Sequence, residues 1–290
     1  MRISTIRPAR IAALSIFAAC STQIPAPAAP PTPAPSPTFR AEAPNPPPPP
    51  ARVLINSEHV AGGPSRCDGR LLDRTYYVVC HAGDWKTPRW VAYHLAADDL
   101  YEPFPRKDAF RADTALPAGE RAELRDYAGS GYTRGHMAPA NDFTRSPAAM
   151  RATFLLSNMA PQIQGMNGGR WAQIEKGVHQ LAVTESNIWV ITGPLFLDAS
   201  GRPSAPDTFI GPDRVAVPTH FYKVVLTERP SGQHELYAFL VPHRSPLGPT
   251  FDYAVPVDSI ERLTGLDFFA ALPDFEENRL EAAQATAWPR

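Results

Sequence analysis

Residues 21–51 read STQIPAPAAPPTPAPSPTFRAEAPNPPPPPA, and this run limits most strongly what the chain can build. Proline fixes φ and lacks a backbone donor, so such a segment favours the extended polyproline conformation and adds nothing to a packed core. At about 3.1 Å per residue, the roughly thirty residues make a spacer of about 90 Å. A PxxP ligand for a recognition module is the alternative use. The 34 prolines of the 290-residue chain cluster before residue 51, so the fold belongs to residues 52–290. That remainder is long enough for one large core, and it contains no internal repeat and no second linker. With 43% hydrophobic and 20% charged residues, wholesale disorder and a collagen-like repeat are excluded. The formal net charge is −1 and the pI about 6.7, so no basic field gathers nucleic acid from a distance and any polyanion site is local.

Ahead of the spacer, Arg2, Arg7 and Arg10 precede the apolar run 11–19, which is shorter than the roughly 20 residues of a bilayer span. That order is the pattern of an export signal over residues 1–20. Its end, Phe17-Ala18-Ala19-Cys20, resembles the lipobox of bacterial lipoproteins, with Phe17 in place of the usual Leu. The resemblance implies lipidation of Cys20, an anchor in the outer or cytoplasmic membrane, and a periplasmic or cell-envelope location. Ser21, which is not the acidic retention cue, points to the outer membrane. The other reading is an ordinary Cys20 with cleavage at a nearby small residue. With Cys20 set aside, Cys67 and Cys80 remain, an even number for an oxidising compartment, and a disulfide between them is expected. Their spacing matches neither a CxxC redox pair nor a zinc signature.

From residue 52 onward, runs rich in Val, Tyr, Phe and Ile predict strands at 75–80, 90–95, 188–192, 220–227 and 236–241. Residues 170–184 carry Trp171, Ile174, Val178 and Leu181 at helical spacing, which predicts an amphipathic helix. Asn167-Gly168-Gly169 stands just before it, and the two glycines let the backbone bend closely around a bound group. A second helix is expected over 256–266, stopped near Gly265.

The chemistry concentrates in residues 131–175, GYTRGHMAPANDFTRSPAAMRATFLLSNMAPQIQGMNGGRWAQIE. The stretch holds a histidine beside Arg and Gly, two asparagines, and a glutamate early in the helix. Histidine accepts a proton near neutral pH, arginine grips phosphate bidentately, and Asn and Glu oxygens suit a hard cation such as Mg²⁺. Those are the parts of a metal-assisted phosphodiesterase. Each residue alone has an ordinary reading: His136 as a surface or capping histidine, Asn167 as a helix cap, Glu175 as a solvated helix residue.

Taken together, the blocks resemble the DNA/RNA non-specific endonuclease family, the endonuclease G-like nucleases. Its Asp-Arg-Gly-His hallmark is matched at three of four positions by Thr133-Arg134-Gly135-His136, continued by Met137-Ala138-Pro139. The family's Tyr-Leu-Ser-Asn-x-x-Pro-Gln appears as Leu155-Leu156-Ser157-Asn158-Met159-Ala160-Pro161-Gln162. Its Leu-Asn-x-x-x-Trp-x-x-x-Glu appears as Met166-Asn167 through Trp171 and Glu175. Weaker likeness runs from Pro88-Arg89-Trp90 through Thr192-Gly193-Pro194 to Ile260-Glu261-Arg262. The resemblance implies an α+β fold, a ββα-metal or His-Me finger nuclease domain with a central antiparallel sheet. It further implies that His136 is the general base, that Asn167 ligates Mg²⁺ or Mn²⁺, and that Glu175 acts on the metal through water. Arg134 would approach the scissile phosphate, and Asn158 would position the finger.

Thr133 departs from the motif Asp and removes a negative charge beside the metal site. His179 and His94 stand where some relatives carry Arg, with Arg145, Arg151 and Arg170 as nearby cations that could compensate. The reading is a metal-dependent endonuclease acting on DNA and RNA with little sequence preference, since no recognition helix or basic arm is present to read bases. The alternatives are a catalytically weakened relative that binds nucleic acid or a protein partner, and an envelope interaction protein whose tether is its purpose.

Overall fold

Successive residues of a strand point to opposite faces, and in the computed structural model, which describes residues 58–60, 63–100 and 104–289, both faces of the main sheet are covered. In chain order the first elements are β1 (Arg70–Asp73), β2 (Val78–Ala82), β3 (Thr87–Ala96), α1 (Leu124–Tyr127), β4 (Thr133–His136), α2 (Pro147–Thr153) and β5 (Met159–Gln162). They are followed by α3 (Ala172–Glu185), β6 (Asn187–Leu195), β7 (Phe209–Ile210), β8 (Val215–Ala216), β9 (His220–Glu228), β10 (His234–Pro242), α4 (Val257–Thr264) and α5 (Asp274–Glu281). Six strands join in the order β1-β2-β3-β6-β9-β10, each pair antiparallel. On β10, Tyr237, Phe239 and Val241 enter one core with Trp171, Ile174, Val178 and Leu181 from the α3 region. Leu236, Ala238 and Leu240 enter the other with Val257 and Ile260 of α4 and Leu280 of α5. Each such buried side chain contributes about 1.5–3 kcal/mol. Burial on both faces explains why the strands read as nearly continuous apolar runs. The mixed architecture with a central antiparallel sheet is the one that the motif resemblance implied.

A separate two-stranded ladder carries the motif. β4 pairs with β5, Thr133 opposite Gln162 and His136 opposite Met159, and α3 completes the ββα unit. Between the strands, α2 starts cleanly because Pro147 occupies its first turn and Ser146 Oγ accepts from Ala149 N at 3.0 Å. Gly135 is required by close approach: a Cβ there would lie 2.1 Å from Oε1 of Gln162, whose side chain is fully buried and cannot withdraw.

The expected helix at 170–184 is α3, entered through a π-helical turn over Met166–Trp171. The second expected helix is α4, ended by Gly265 in the left-handed region at φ 66°. The strand expected at 75–80 begins only at Val78. Thr75 has φ 68°, and its N–H donates to Asp73 Oδ1 at 2.8 Å, so Thr75 turns the chain between β1 and β2. The signal segment 1–20 with Cys20 and the spacer 21–51 lie outside the described residues.

Cys67 and Cys80 are bonded, with Cα atoms 5.5 Å apart, tying the segment before β1 to β2. For a loop of this size the chain-entropy contribution is about 3 kcal/mol. The double variant Cys67→Ser/Cys80→Ser is therefore expected to melt about 6–12 °C lower in calorimetry, whereas an unchanged Tm would show that the bond constrains nothing in the unfolded chain.

Candidate active site

The finger opens on a cavity of about 620 Å³ whose walls include Thr133, Arg134, His136, Asn167 and Glu175, joined by Arg106 from an upstream loop. Five positions from two sequence blocks thus meet in one place. β4 delivers the first three, the π-helical turn delivers Asn167, and the first turn of α3 delivers Glu175.

His136 sits at the end of β4, 9% exposed, with its ring between Phe110 at 5.6 Å and Phe154 at 5.0 Å. Its Nε2 is buried and has no hydrogen-bond partner. Burial, with the nearby guanidinium groups of Arg106 and Arg134 and against the pull of Asp108, pushes its pKa down to about 3. The imidazole is consequently neutral at any physiological pH, with its lone pair free.

Thr133 has a definite task in place of an acid. Its Oγ1 donates to the Gln162 carbonyl at 2.8 Å and accepts from Asn167 Nδ2 at 2.9 Å. A hydroxyl has one proton, and here the carbonyl takes it, so Asn167 must present its NH₂ to Thr133. Oδ1 of Asn167 is then left without a protein partner among the described residues. Asn167 does not cap the helix: no side-chain cap bond forms at that terminus. Removing the hydroxyl in Thr133→Val is expected to raise the metal concentration for half-maximal cleavage about 10- to 100-fold. Thr133→Asp keeps an acceptor for Asn167 and adds charge, so its rate is expected to stay within about 10²-fold of the natural protein. A metal titration checks both, and an unchanged curve for Thr133→Val would remove Thr133 from the site.

Behind Glu175 the sheet carries Lys223 of β9, fully buried, its Nζ donating to Thr192 Oγ1 at 2.6 Å and lying 5.1 Å from the Trp171 ring centroid. Burial raises the Glu175 pKa above the ordinary carboxylate range, while the Lys223 ammonium pulls it back and Asp142 adds to the rise. Asp142, also buried, accepts from Tyr93 Oη at 2.6 Å and from His179 Nδ1 at 2.9 Å. That bond raises the His179 pKa, so this residue is cationic over more of the neutral range than an ordinary histidine. The charge is present below its pKa and disappears as pH rises through it. KM for DNA is therefore expected to rise roughly 2- to 5-fold between about pH 6 and 8, the worth of one exposed charge pair. His179→Arg should flatten that rise in a steady-state series; an identical slope would show that His179 does not meet the substrate.

Two expectations change. Asn158 does not line the cavity: it is fully buried, its Oδ1 accepting from Ala138 N at 2.9 Å and its Nδ2 donating to Ala138 O and Thr153 O at 2.9 and 2.8 Å. It braces the loop after His136. Nor do Arg145, Arg151 or Arg170 reach the cavity. Arg145 pairs with Asp99 and Arg170 with Gln173 and Thr250. His94 is likewise elsewhere, bonded to Asn187 Oδ1 at 3.0 Å. The cavity cations are Arg134, stacked 4.1 Å over Phe110, and Arg106, which the sequence reading missed because it comes from a loop outside the motif blocks.

Comparison with known proteins agrees with this geometry. Residues 58–275 match the model of the family described as DNA/RNA non-specific endonuclease. Human mitochondrial endonuclease G is 39% identical over 206 residues, covering 69% of each chain. A nuclease of Syncephalastrum racemosum is 39% identical over 217 residues, 70% of this chain and 68% of that one. The mitochondrial nuclease of Saccharomyces cerevisiae is 34% identical over 226 residues, 72% of this chain and 68% of its own. A crystal structure of EndoG bound to EndoGI, concerned with EndoG inhibition, superposes with a TM-score of 0.68 at 34% identity, over 73% of this chain and 90% of that one. These relatives correct the expected periplasmic or envelope location and lipid anchor at Cys20, since the human and yeast proteins are mitochondrial nucleases and not envelope lipoproteins. An Arg-bearing, acid-poor start is shared by export signals and organelle transit segments, so Arg2, Arg7 and Arg10 do not discriminate between them. The fold, the convergence of the three motif blocks and these relatives lead to one assignment: the chain belongs to the DNA/RNA non-specific endonuclease family.

Proposed function

We propose that this nuclease hydrolyses phosphodiester bonds of both DNA and RNA with a divalent cation, Mg²⁺ or Mn²⁺, held by Asn167 Oδ1, and with His136 as general base. The observation that carries the reading is the orientation of Asn167. The Thr133 hydroxyl takes its Nδ2, so its oxygen remains available on the cavity that also holds His136. The donor set fits a hard cation: a neutral amide oxygen, with Glu175 acting through water, leaves most coordination positions to water and substrate. When bound, such an ion neutralises charge on the phosphate and the leaving oxygen. His136, neutral at working pH, takes the proton from the attacking water across about 3 Å. Arg134 offers a guanidinium to the phosphate, held flat by Phe110, and Arg106 adds a second positive charge on the same wall. Asn158 acts indirectly, fixing the backbone that follows His136. Contacts of this kind address the sugar-phosphate backbone and leave bases unread, which supports action on both nucleic acids with scattered cut sites.

The test of substrate scope uses purified protein, supercoiled plasmid and a structured RNA, with cut positions mapped by sequencing. Both substrates are expected to be cleaved at many positions. Retardation of either substrate in a gel without cleavage would favour the binding-only alternative that the missing acid at position 133 raised, and cutting at one sequence would contradict backbone recognition.

A further inference from the structure

On the sheet face covered by α4 and α5, burial of three apolar residues forces three acids together. Val257, Ile260 and Leu280 are inserted in the core, and the residue following each of them, Asp258, Glu261 and Glu281, is carried into the seam between the two helices. One carboxylate oxygen from each lies within 4.8 Å of the other two. Glu281 is only 7% exposed, and its Oε1 is buried with no hydrogen-bond partner. Glu261 accepts one bond, from Phe268 N at 2.8 Å. The ion pairs of the described residues involve none of the three. A buried carboxylate without a partner is costly and is relieved by a proton or by a cation. Burial lifts Glu261 to about 7, with Asp267, Asp258 and Glu277 adding to the rise against the Phe268 N–H bond, and lifts Glu281 to about 8, with Glu261 the strongest of the neighbouring acids.

We propose that Asp258, Glu261 and Glu281 form a second cation site, remote from the catalytic cavity, that takes a hard divalent ion of the calcium class and fastens α5 to α4. The donors are all oxygens, and their number decides between hard ions. Ca²⁺ binds oxygen at about 2.3–2.6 Å in flexible geometry, so ligands across it stand up to about 5 Å apart, whereas octahedral Mg²⁺ at about 2.0–2.1 Å limits them to about 4.2 Å. The three oxygens lie within 4.8 Å of one another, a bound that admits both ions, and three carboxylates suit Ca²⁺, because Mg²⁺ usually keeps several waters and takes one or two carboxylates. Asp258 and Glu261 lie within the residues 58–275 that match the family and Glu281 lies beyond them, and the proposal does not depend on the nuclease reading.

Thermal unfolding of the full chain in EGTA and in 5 mM calcium chloride, with equilibrium dialysis against radioactive calcium, tests the proposal. Calcium is expected to raise the Tm by about 5 °C. The shift should survive Asn167→Ala, which alters only the catalytic cavity, and vanish in Glu281→Gln with the loss of one bound ion per chain. In EGTA, Glu281→Gln should be at least as stable as the natural protein, because it removes a buried carboxyl crowded by other acids. Asp258→Asn, at a half-buried position, provides a second readout if Glu281→Gln does not fold, with an expected rise of about tenfold or more in the calcium concentration for half-saturation. No calcium shift in the natural protein would overturn the proposal and leave the acids sharing protons. The same shift and stoichiometry in both variants would overturn it equally.

Discussion

His136→Ala is expected to cleave about 10²- to 10⁴-fold more slowly than the natural protein under single-turnover conditions with saturating metal, the usual worth of a positioned general base. The loss should appear in the rate and not in the fold. The ring is packed on Phe110 and Phe154, but its Nε2 makes no bond whose removal would orphan another group. The pH profile carries a second sign of the same group. An ordinary histidine base loses activity as pH falls through about 6.5. His136, lowered by burial to about 3, should produce no such step there. Its neutral, buried state also sets the direction of its effect on stability: that contribution is complete above about pH 6.5 and is lost as pH falls from there toward the folded value. Near-natural cleavage by a pure His136→Ala preparation would remove the residue from the mechanism.

Asn167→Ala carries the second large effect. It removes the amide oxygen proposed to hold the cation, so both the rate and the metal response should fall, by at least the 10- to 100-fold scale of outer ligand partners. Glu175→Gln should cost less, because it acts through water and the change preserves an oxygen at the same place. Folding should tolerate both changes, since neither side chain is fully buried. A metal titration of Asn167→Ala that overlays the natural curve would place the ion elsewhere.

The reactive residues were legible because the chemistry lies in short contiguous blocks whose internal spacing survives in one sequence. His136, Arg134, Asn167 and Glu175 were therefore found by pattern, and all line one cavity. What pattern did not show depends on partners distant in sequence. The role of Thr133 requires Asn167, 34 positions away, so in the sequence it reads only as a missing acid. Lys223 lies within the apolar run of β9 and looks like an ordinary polar position until α3 is packed over it. Strands β4 and β5 have four residues each and contain Gly135 and Pro161, so neither composition nor period-two alternation identifies them. Arg106 carries no mark in the sequence because it comes from a loop outside the motif blocks, whereas Arg145, Arg151 and Arg170 stand near the motif in sequence and away from the cavity. Asn158 stands in the motif and all its bonds go to backbone, so its contribution is geometric.

The central claim is that a chain with Thr133 in place of the motif acid still uses a divalent ion to cut nucleic acid. Nicking of supercoiled plasmid by the natural protein, measured in EDTA and after addition of excess Mg²⁺ or Mn²⁺, tests it most directly. The account predicts no nicking in EDTA and recovery with either ion at neutral pH. Undiminished nicking in EDTA, or none with any divalent ion, would contradict it.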